Sequence, residues 1–263
     1  MYESIKVLEK IQHKLSVSMI MTPRIALKTC RKNDSVKSII EANNHNFTWI
    51  PVVGDSGHIS HIFDTGSIKE ELPDAEIADF CLPINENFII GGDASIYEFI
   101  ETAEEQKFKL VVSGSEVSGL VTISDLQQLP VRVAIFSLIT NLELLLADII
   151  TKFCPKDCDW EEKLSANRRV KLQEAVQKSE QSDLSVSKIV LTQFADKTTL
   201  ATKLDLIDIP NKKLRKLFRN INKLRDEIAH ASNFAEDELK ATELCGTVKS
   251  IFEIKRKLRY IQT

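Results

Sequence analysis

A chain of 263 residues, 43% hydrophobic and 28% charged, has length for two ordinary domains, and its 8 Gly and 7 Pro exclude low complexity and long loops. Aromatics at 6% argue against a stacking platform for single-stranded nucleic acid. Residues 1–130 carry 11 Lys and Arg against 19 Asp and Glu, and residues 131–263 carry 24 against 19, so an acidic half precedes a basic half that tolerates polyanions. Solvated helix faces account for the same charges equally well.

Residues 1–15 are expected to form an N-terminal helix without a signal-peptide pattern, which points to the cytoplasm. An approximate repeat follows. Asn33-Asp34-Ser35-Val36 opens a helical stretch through Ile39, Ile40 and Ala42, with Asp34 or Ser35 as the cap. Sixty residues on, Gly92-Asp93-Ala94-Ser95-Ile96 opens another through Phe99, Ile100 and Ala103, with Asp93 as the cap. Each helix leads to a β-rich run, 49–53 or 109–112, then a turn, then a second strand, 59–63 or 117–122. The unit is helix, strand, turn, strand, helix, occurring twice.

Met21-Thr22-Pro23, Ser35-Val36, Pro51-Val52-Val53 and Gly119-Leu120-Val121-Thr122-Ile123-Ser124-Asp125-Leu126 resemble a tandem pair of CBS domains over residues 16–129. The resemblance implies two pseudo-symmetric βαββα-type halves with clefts that take adenosine nucleotides such as AMP, ADP or ATP as regulatory ligands. Thr122 offers a hydroxyl to a phosphate, and Asp125 can accept from both ribose hydroxyls. Both residues equally suit a helix cap. In the first copy Phe63 and Gly66 are expected at the matching positions, so at most one nucleotide cleft is expected, on the second copy. Ser60 stands where the family has a glycine. His45, His58 and His61 have no acids or cysteines around them and read as surface or turn residues.

Past Pro130 the strand signal stops. Val133, Phe136, Ile139, Leu142, Leu145, Leu146, Ile149 and Phe153 mark one long helix, apolar on more than one face. Arg132, Asn141, Glu143 and Asp148 interrupt it, which favours a buried or interface helix over a membrane span. Burial from several sides suggests self-association. Cys154 and Cys158 lack a second pair or a histidine for zinc, and read as a loop between helices; five irregular cysteines imply no disulfide framework. Further helices are expected over 161–178 and around 184–196. A helix beginning after Ile209-Pro210-Asn211 carries the stripe Leu214, Leu217, Phe218, Ile221, Leu224 and Ile228. Its other faces carry Lys212, Lys213, Arg215, Lys216, Arg219 and Lys223. Asn233 and Glu236 suit a capping box for the last helix.

The run Leu224-Arg225-Asp226-Glu227-Ile228-Ala229-His230 ends that helix. A cation that grips phosphate and a group that moves protons near neutrality suffice to cleave RNA without a metal. A salt bridge from Arg225 to Glu143 or Asp148, and a helix-end role for His230, explain the same residues. A straight helix does not bring Arg225 and His230 together, so a turn at Ala231-Ser232 or a second subunit is required.

Within an all-helical stretch over 131–263, this run resembles the motif of the HEPN superfamily. The family more often has asparagine or histidine where Asp226 stands. The resemblance implies an α+β two-domain protein, a CBS pair followed by an all-α HEPN-like bundle. It implies a homodimeric, metal-independent endoribonuclease needing no catalytic cofactor. Arg225 would hold the scissile phosphate, His230 would act as base or acid, Asp226 would orient His230 or the partner motif, and Glu143 would be a supporting acid. Lys212, Lys216, Arg219 and Lys223 would bind RNA. A toxin-like or defence-linked role is a tendency of that family. Some relatives only dimerise or bind nucleotides, so a non-catalytic nucleotide-sensing homodimer stays open. A DNA-binding regulator is the weaker third, lacking a helix-turn-helix.

Overall fold

A computed structural model describes residues 2–68, 74–181, 187–230 and 233–258. The chain is a mixed α+β protein that divides into two units, residues 15–128 and residues 1–14 with 129–263. The helix expected at the N-terminus is α1 (Tyr2–Lys14), and it belongs to the helical unit.

The sheet unit contains β1 (Thr22–Pro23), α2 (Val36–Glu41), β2 (Trp49–Val53), β3 (Ile59–Asp64), β4 (Cys81–Pro83), β5 (Ile89–Gly91), α3 (Ile96–Thr102), β6 (Phe108–Ser113) and β7 (Glu116–Thr122). One sheet has the order β1-β7-β6-β5 and the other β2-β3-β4. The repeat begins earlier than the helices suggest. A short turn over Val17–Met19 leads into β1, and its counterpart over Ile77–Asp79 leads into β4. These lead strands are exchanged. β1 belongs to the first copy but pairs with β7 of the second, Thr22 opposite Leu120. β4 belongs to the second copy but pairs with β3 of the first, Leu82 opposite Ile62. The exchange recurs at the helix caps, where Ser95 bridges Ser16 and Ser35 bridges Glu76.

The caps partly differ from expectation. Ser35 caps α2, accepting from Ser38 N, while Asp34 accepts from the nearby Arg31 N. Ser95, not Asp93, caps α3. It accepts from Tyr97 N, and Glu98 accepts from Ser95 N. Ser95 is one residue from the first helical residue, where a cap must stand.

The two hairpins carry the same bulge, between Val52 and Val53 and between Val111 and Val112. Their turns differ in length, so the correspondence between copies shifts by one residue after the turn. Trp49 faces Asp64 as Phe108 faces Thr122. Asp64 and Ser67 therefore match Thr122 and Asp125, which corrects Phe63 and Gly66. Likewise His61, not Ser60, stands where the second copy has Gly119. Residues of both copies share one core, in which Ile59 and Ile62 pack with Phe108, Leu110 and Leu120, and Trp49 lies 4.5 Å from Phe108.

In the helical unit α4 (Leu129–Phe153) is the central element, packed by α1, α7 (Phe194–Lys203), α8 (Asn211–Ala229) and α9 (Glu238–Arg256). It is the one helix among the described residues long and apolar enough to cross a membrane, but most of that apolar window is buried. Its acids are partnered. Glu143 meets Lys197 at 3.0 Å, and Asp148 meets Lys152 at 2.7 Å. Cys158 falls inside a short helix, α5 (Asp157–Glu161), rather than a loop. The helix expected over 161–178 is α6 (Ala166–Gln181), and the one expected around 184–196 lies later, as α7. Residues 182–186 lie outside the described residues. Asp237, not Asn233, caps α9 by accepting from Lys240 N, and Glu236 pairs with Lys240.

Gly119 is fixed by the exchanged strand. A Cβ there would lie 2.6 Å from the Thr22 carbonyl oxygen and 2.7 Å from Met21 Sδ. Gly119→Val should lower stability by about 2–3 kcal/mol through overpacking against β1. Gly54→Ala, whose Cβ meets nothing closer than 3.7 Å, should stay within about 1 kcal/mol. Thermal unfolding of the two variants compares them directly, and equal losses would refute the β1 constraint.

Candidate functional site

Two places hold the residues singled out by sequence, one in each unit. In the sheet unit, β7 ends at Thr122 and passes into a turn over Ile123–Gln127. Thr122 and Asp125 are brought together there. Asp125 Oδ2 accepts from Thr122 N at 2.7 Å and from Thr122 Oγ1 at 3.0 Å. Its other oxygen accepts from Gln128 Nε2 at 2.7 Å, and the same amide nitrogen donates to the Ile20 carbonyl at 2.7 Å. Asp125 thus caps the turn and closes a link through Gln128 to the segment that leads into β1. Burial pushes its carboxyl above the usual carboxylate range, and the hydrogen bonds from Thr122 and Gln128 offset part of that rise. The arrangement supplies a hydroxyl and a carboxylate at a strand end, with both carboxylate oxygens already accepting.

The first copy presents the two groups in reverse order. Asp64 Oδ1 accepts from Gly66 N, and Ser67 Oγ donates to the Asp64 carbonyl. A hydroxyl stands where the second copy has its carboxylate. His61, near Ser60 Oγ at 2.9 Å, is held below its ordinary pKa by burial and by Lys32.

In the helical unit, α8 folds as its stripe requires, with Leu214, Phe218, Ile221, Leu224 and Ile228 buried. Arg225 and Asp226 are neighbours in space, Arg225 Nη1 lying 3.5 Å from Asp226 Oδ1. Asn222 Nδ2 donates to the other Asp226 oxygen at 3.5 Å. His230 is the exposed residue that ends the helix, in extended conformation. No described hydrogen bond or ion pair joins His230 to Arg225. The turn at Ala231-Ser232 lies outside the described residues. Glu143 is committed elsewhere, since the Lys197 ammonium that it holds is buried and also donates to the Thr192 carbonyl at 2.6 Å.

The four residues expected to bind RNA divide. Lys223 lies 3.7 Å from both Glu227 and Glu243. Lys212 and Lys216 are exposed. Arg219 lines a cavity between α7 and α8. Among the described residues no group of three or more His, Cys, Asp or Glu is arranged to hold a metal ion.

Sequence reasoning missed the group that fixes the end of α8. Arg132, on α4, donates through Nη1 to the carbonyls of Ile228, at 3.1 Å, and His230. Its guanidinium lies 4.8 Å from the centre of the Phe234 ring. A helix C-terminus leaves carbonyls unpaired and attracts cations, and this arginine answers both needs. The signal was a cation interrupting an apolar helix, which demands a partner.

No protein-family model matches the chain, and no curated protein matches it in sequence. Solved structures similar to it include CBS domains. The CBS domain of a bacterial CNNM/CorC family Mg2+ transporter, in complex with ATP, is 17% identical, with 51% of this chain and 96% of that one covered and a TM-score of 0.39. The CBS domains of a transcriptional regulator from Streptococcus pneumoniae are 18% identical, with 41% and 92% covered and a TM-score of 0.36. The CBS-pair protein CBSX2 from Arabidopsis thaliana is 18% identical, with 45% and 93% covered and a TM-score of 0.38.

Removing the Arg132 guanidinium strands two carbonyls and one aromatic contact. Arg132→Met, which keeps the apolar stem, should lower stability by about 2–3 kcal/mol. It should also speed amide exchange in the last turn of α8, read by hydrogen–deuterium exchange. Unchanged protection there would rule out the clamp.

Proposed function

We propose that the protein is a nucleotide-regulated, metal-independent endoribonuclease that works as a homodimer. On this reading residues 15–128 form a CBS pair that senses an adenosine nucleotide, and the helical unit is of the HEPN type. The observation that carries it is the end of α8. The backbone of His230 is pinned by Arg132 while its imidazole is left exposed, and Arg225 stands on the same last turns. Such a group is held in place yet accessible to a substrate.

Arg225 holds the scissile phosphate through its planar donors. His230 takes the proton from the 2′-hydroxyl, the 2′-oxygen attacks phosphorus, and the bond to the 5′-oxygen breaks. A protonated histidine of the second subunit gives that oxygen its proton, leaving a 2′,3′-cyclic phosphate and a 5′-hydroxyl. Asp226, 3.5 Å from Arg225, orients the guanidinium. The second subunit is invoked because no described hydrogen bond or ion pair joins Arg225 to His230. Leu129, Val133 and Phe136, exposed along one side of α4, support self-association.

In the sheet unit the nucleotide's ribose would take the Asp125 carboxylate and its phosphate the Thr122 hydroxyl. Regulation follows only if the ligand favours one arrangement of the dimer over the other. A second reading, a nucleotide-sensing homodimer without catalysis, is favoured by one observation. Both oxygens of Asp125 accept internally, and the two oxygens of Asp226 face Arg225 and Asn222.

Purified full-length protein in EDTA should cleave structured or unstructured RNA to products ending in cyclic phosphate. Arg225→Ala and His230→Ala should each lower the rate at least a hundredfold while the dimer persists in sedimentation. No cleavage under any nucleotide condition selects the non-catalytic reading. Calorimetry with AMP, ADP and ATP should give an affinity that falls at least tenfold in Asp125→Ala. Equal binding by wild type and variant would remove the nucleotide from this junction.

A further inference from the structure

Between α7 and α8 lies a cavity of about 460 Å³ that none of the motif residues explains. One wall is α8, whose Arg215, Arg219 and Asn222 follow at intervals of four and three and so share a stripe. The other wall is α7, with Thr198, Thr202 and Lys203. Phe218, 5% exposed, lies between them and meets Phe194 edge-on at 6.5 Å.

The charge of this cavity is one-sided. Its lining includes three cations and no carboxylate. Two other cations of α8 are neutralised, Lys213 by Glu253 at 2.6 Å and Lys223 by Glu227 and Glu243. Arg215 and Arg219 are exposed, and neither meets a carboxylate among the described residues. The threonine hydroxyls have given their protons to backbone carbonyls, Thr198 to Ala195 and Thr202 to Thr198. The donors left for a ligand are therefore the two guanidiniums, the Asn222 amide and the Lys203 ammonium, which also donates to the Lys163 carbonyl at 2.6 Å. Two forks of donors one helical turn apart match the oxygens of a phosphate.

The cavity is larger than a phosphate ion needs, which leaves room for a whole nucleotide unit. Its Asn222 is linked by contacts to the end of α8. Asn222 donates to Asp226, and Asp226 contacts Arg225. Arg219 and Arg225 are separated by about 9 Å along the helix axis, at 1.5 Å per residue. We propose that this cavity is an RNA subsite, holding one nucleotide of a single strand with its phosphate on Arg215 and Arg219 while a neighbouring stretch passes Arg225 and His230. The proposal rests on the reading of that motif as acting on RNA.

The test uses the full chain and a fluorescein-labelled single-stranded RNA, with anisotropy read in EDTA across a range of salt. Arg215→Ala with Arg219→Ala should weaken binding at least tenfold. It should also make the slope of log affinity against log salt shallower by about 0.7, the contribution of the one phosphate held there. Lys212→Ala with Lys216→Ala removes equal charge outside the cavity and should weaken binding several-fold less. Equal effects of the two pairs, or none from the arginine pair, overturn the subsite, as does a wild type that binds no RNA. Inorganic phosphate is added as competitor. Displacement of RNA from the wild type at concentrations that leave the arginine variant's residual binding unchanged supports the subsite, and equal displacement from both counts against it. RNA binding that depends on Arg215 and Arg219 without any cleavage removes the nuclease reading and keeps the subsite. Cleavage that depends on Arg225 and His230, with KM unchanged in the arginine pair, does the reverse.

Discussion

The sheet unit depends on one constraint, the exchange of lead strands between its two copies. A hairpin alone exposes an edge, and a two-stranded sheet is marginal in water. Each copy covers an edge with a strand supplied by the other, β1 on β7 and β4 on β3. Neither copy can complete its sheet alone, which explains why residues of both meet in one core around Phe108. Close approach of the Thr22 carbonyl to Gly119 is the tightest point of this arrangement. The same strands lead to the candidate nucleotide junction. β7 ends at Thr122, and Gln128 ties Asp125 to the Ile20 carbonyl just before β1. A ligand that takes the Asp125 carboxylate must compete with Gln128 and Thr122 for it. Binding there would consequently act on the link between the turn and the exchanged strand, a physical contact through which occupancy alters the unit.

The helical unit is organised by what α4 demands. An apolar helix carrying Arg132, Glu143 and Asp148, each half-buried, must find a partner for each, because a partly desolvated charge without one is costly. Asp148 is satisfied within the helix by Lys152, one turn on. Glu143 reaches to Lys197 and fastens α7, and Arg132 reaches to the last carbonyls of α8. Arg168, on α6, donates through Nε to Asp196 at 2.7 Å, which fastens α6 to the start of α7. These polar contacts fix where α7 and α8 run. They therefore fix the groove between those helices and the position of His230.

Much of this was legible in the sequence, and what was not has identifiable causes. Periodicity located α4 and α8 because their apolar residues recur at helical spacing over long runs. It located the four hairpin strands because each is flanked by turn residues, with Gly57 and Gly114 at φ of +80° and +60°. The lead strands carried no such signal. β1 has two residues and β4 three, too short for any alternation to register. Matching the copies at a constant offset put Phe63 opposite Thr122, because a string comparison cannot see that the turns differ in length. Hydrogen-bond register restores the match and places Asp64 there. Caps were misplaced by two residues at Ser95 and by four at Asp237, since Asp, Asn and Ser all offer a capping oxygen and only backbone geometry chooses among them.

The basic half teaches the same lesson about charge. Its excess of Lys and Arg reads as an affinity for polyanions, yet several of those cations are internal fasteners. Lys197 is buried against Glu143, Arg168 is held by Asp196, and Lys213 and Lys223 face carboxylates of α9. Each such pair removes a charge from the field that an approaching polyanion meets, since opposite charges a few ångströms apart cancel beyond a Debye length. What remains is unevenly placed. Arg215 and Arg219 share one side of α8 in front of a cavity, and Lys212 and Lys216 extend the same basic surface. Net charge alone would have weighted Lys223 equally with Arg219. The difference between them lies in their neighbours: Lys223 is already neutralised, whereas the guanidinium of Arg219 opens onto space with no carboxylate beside it.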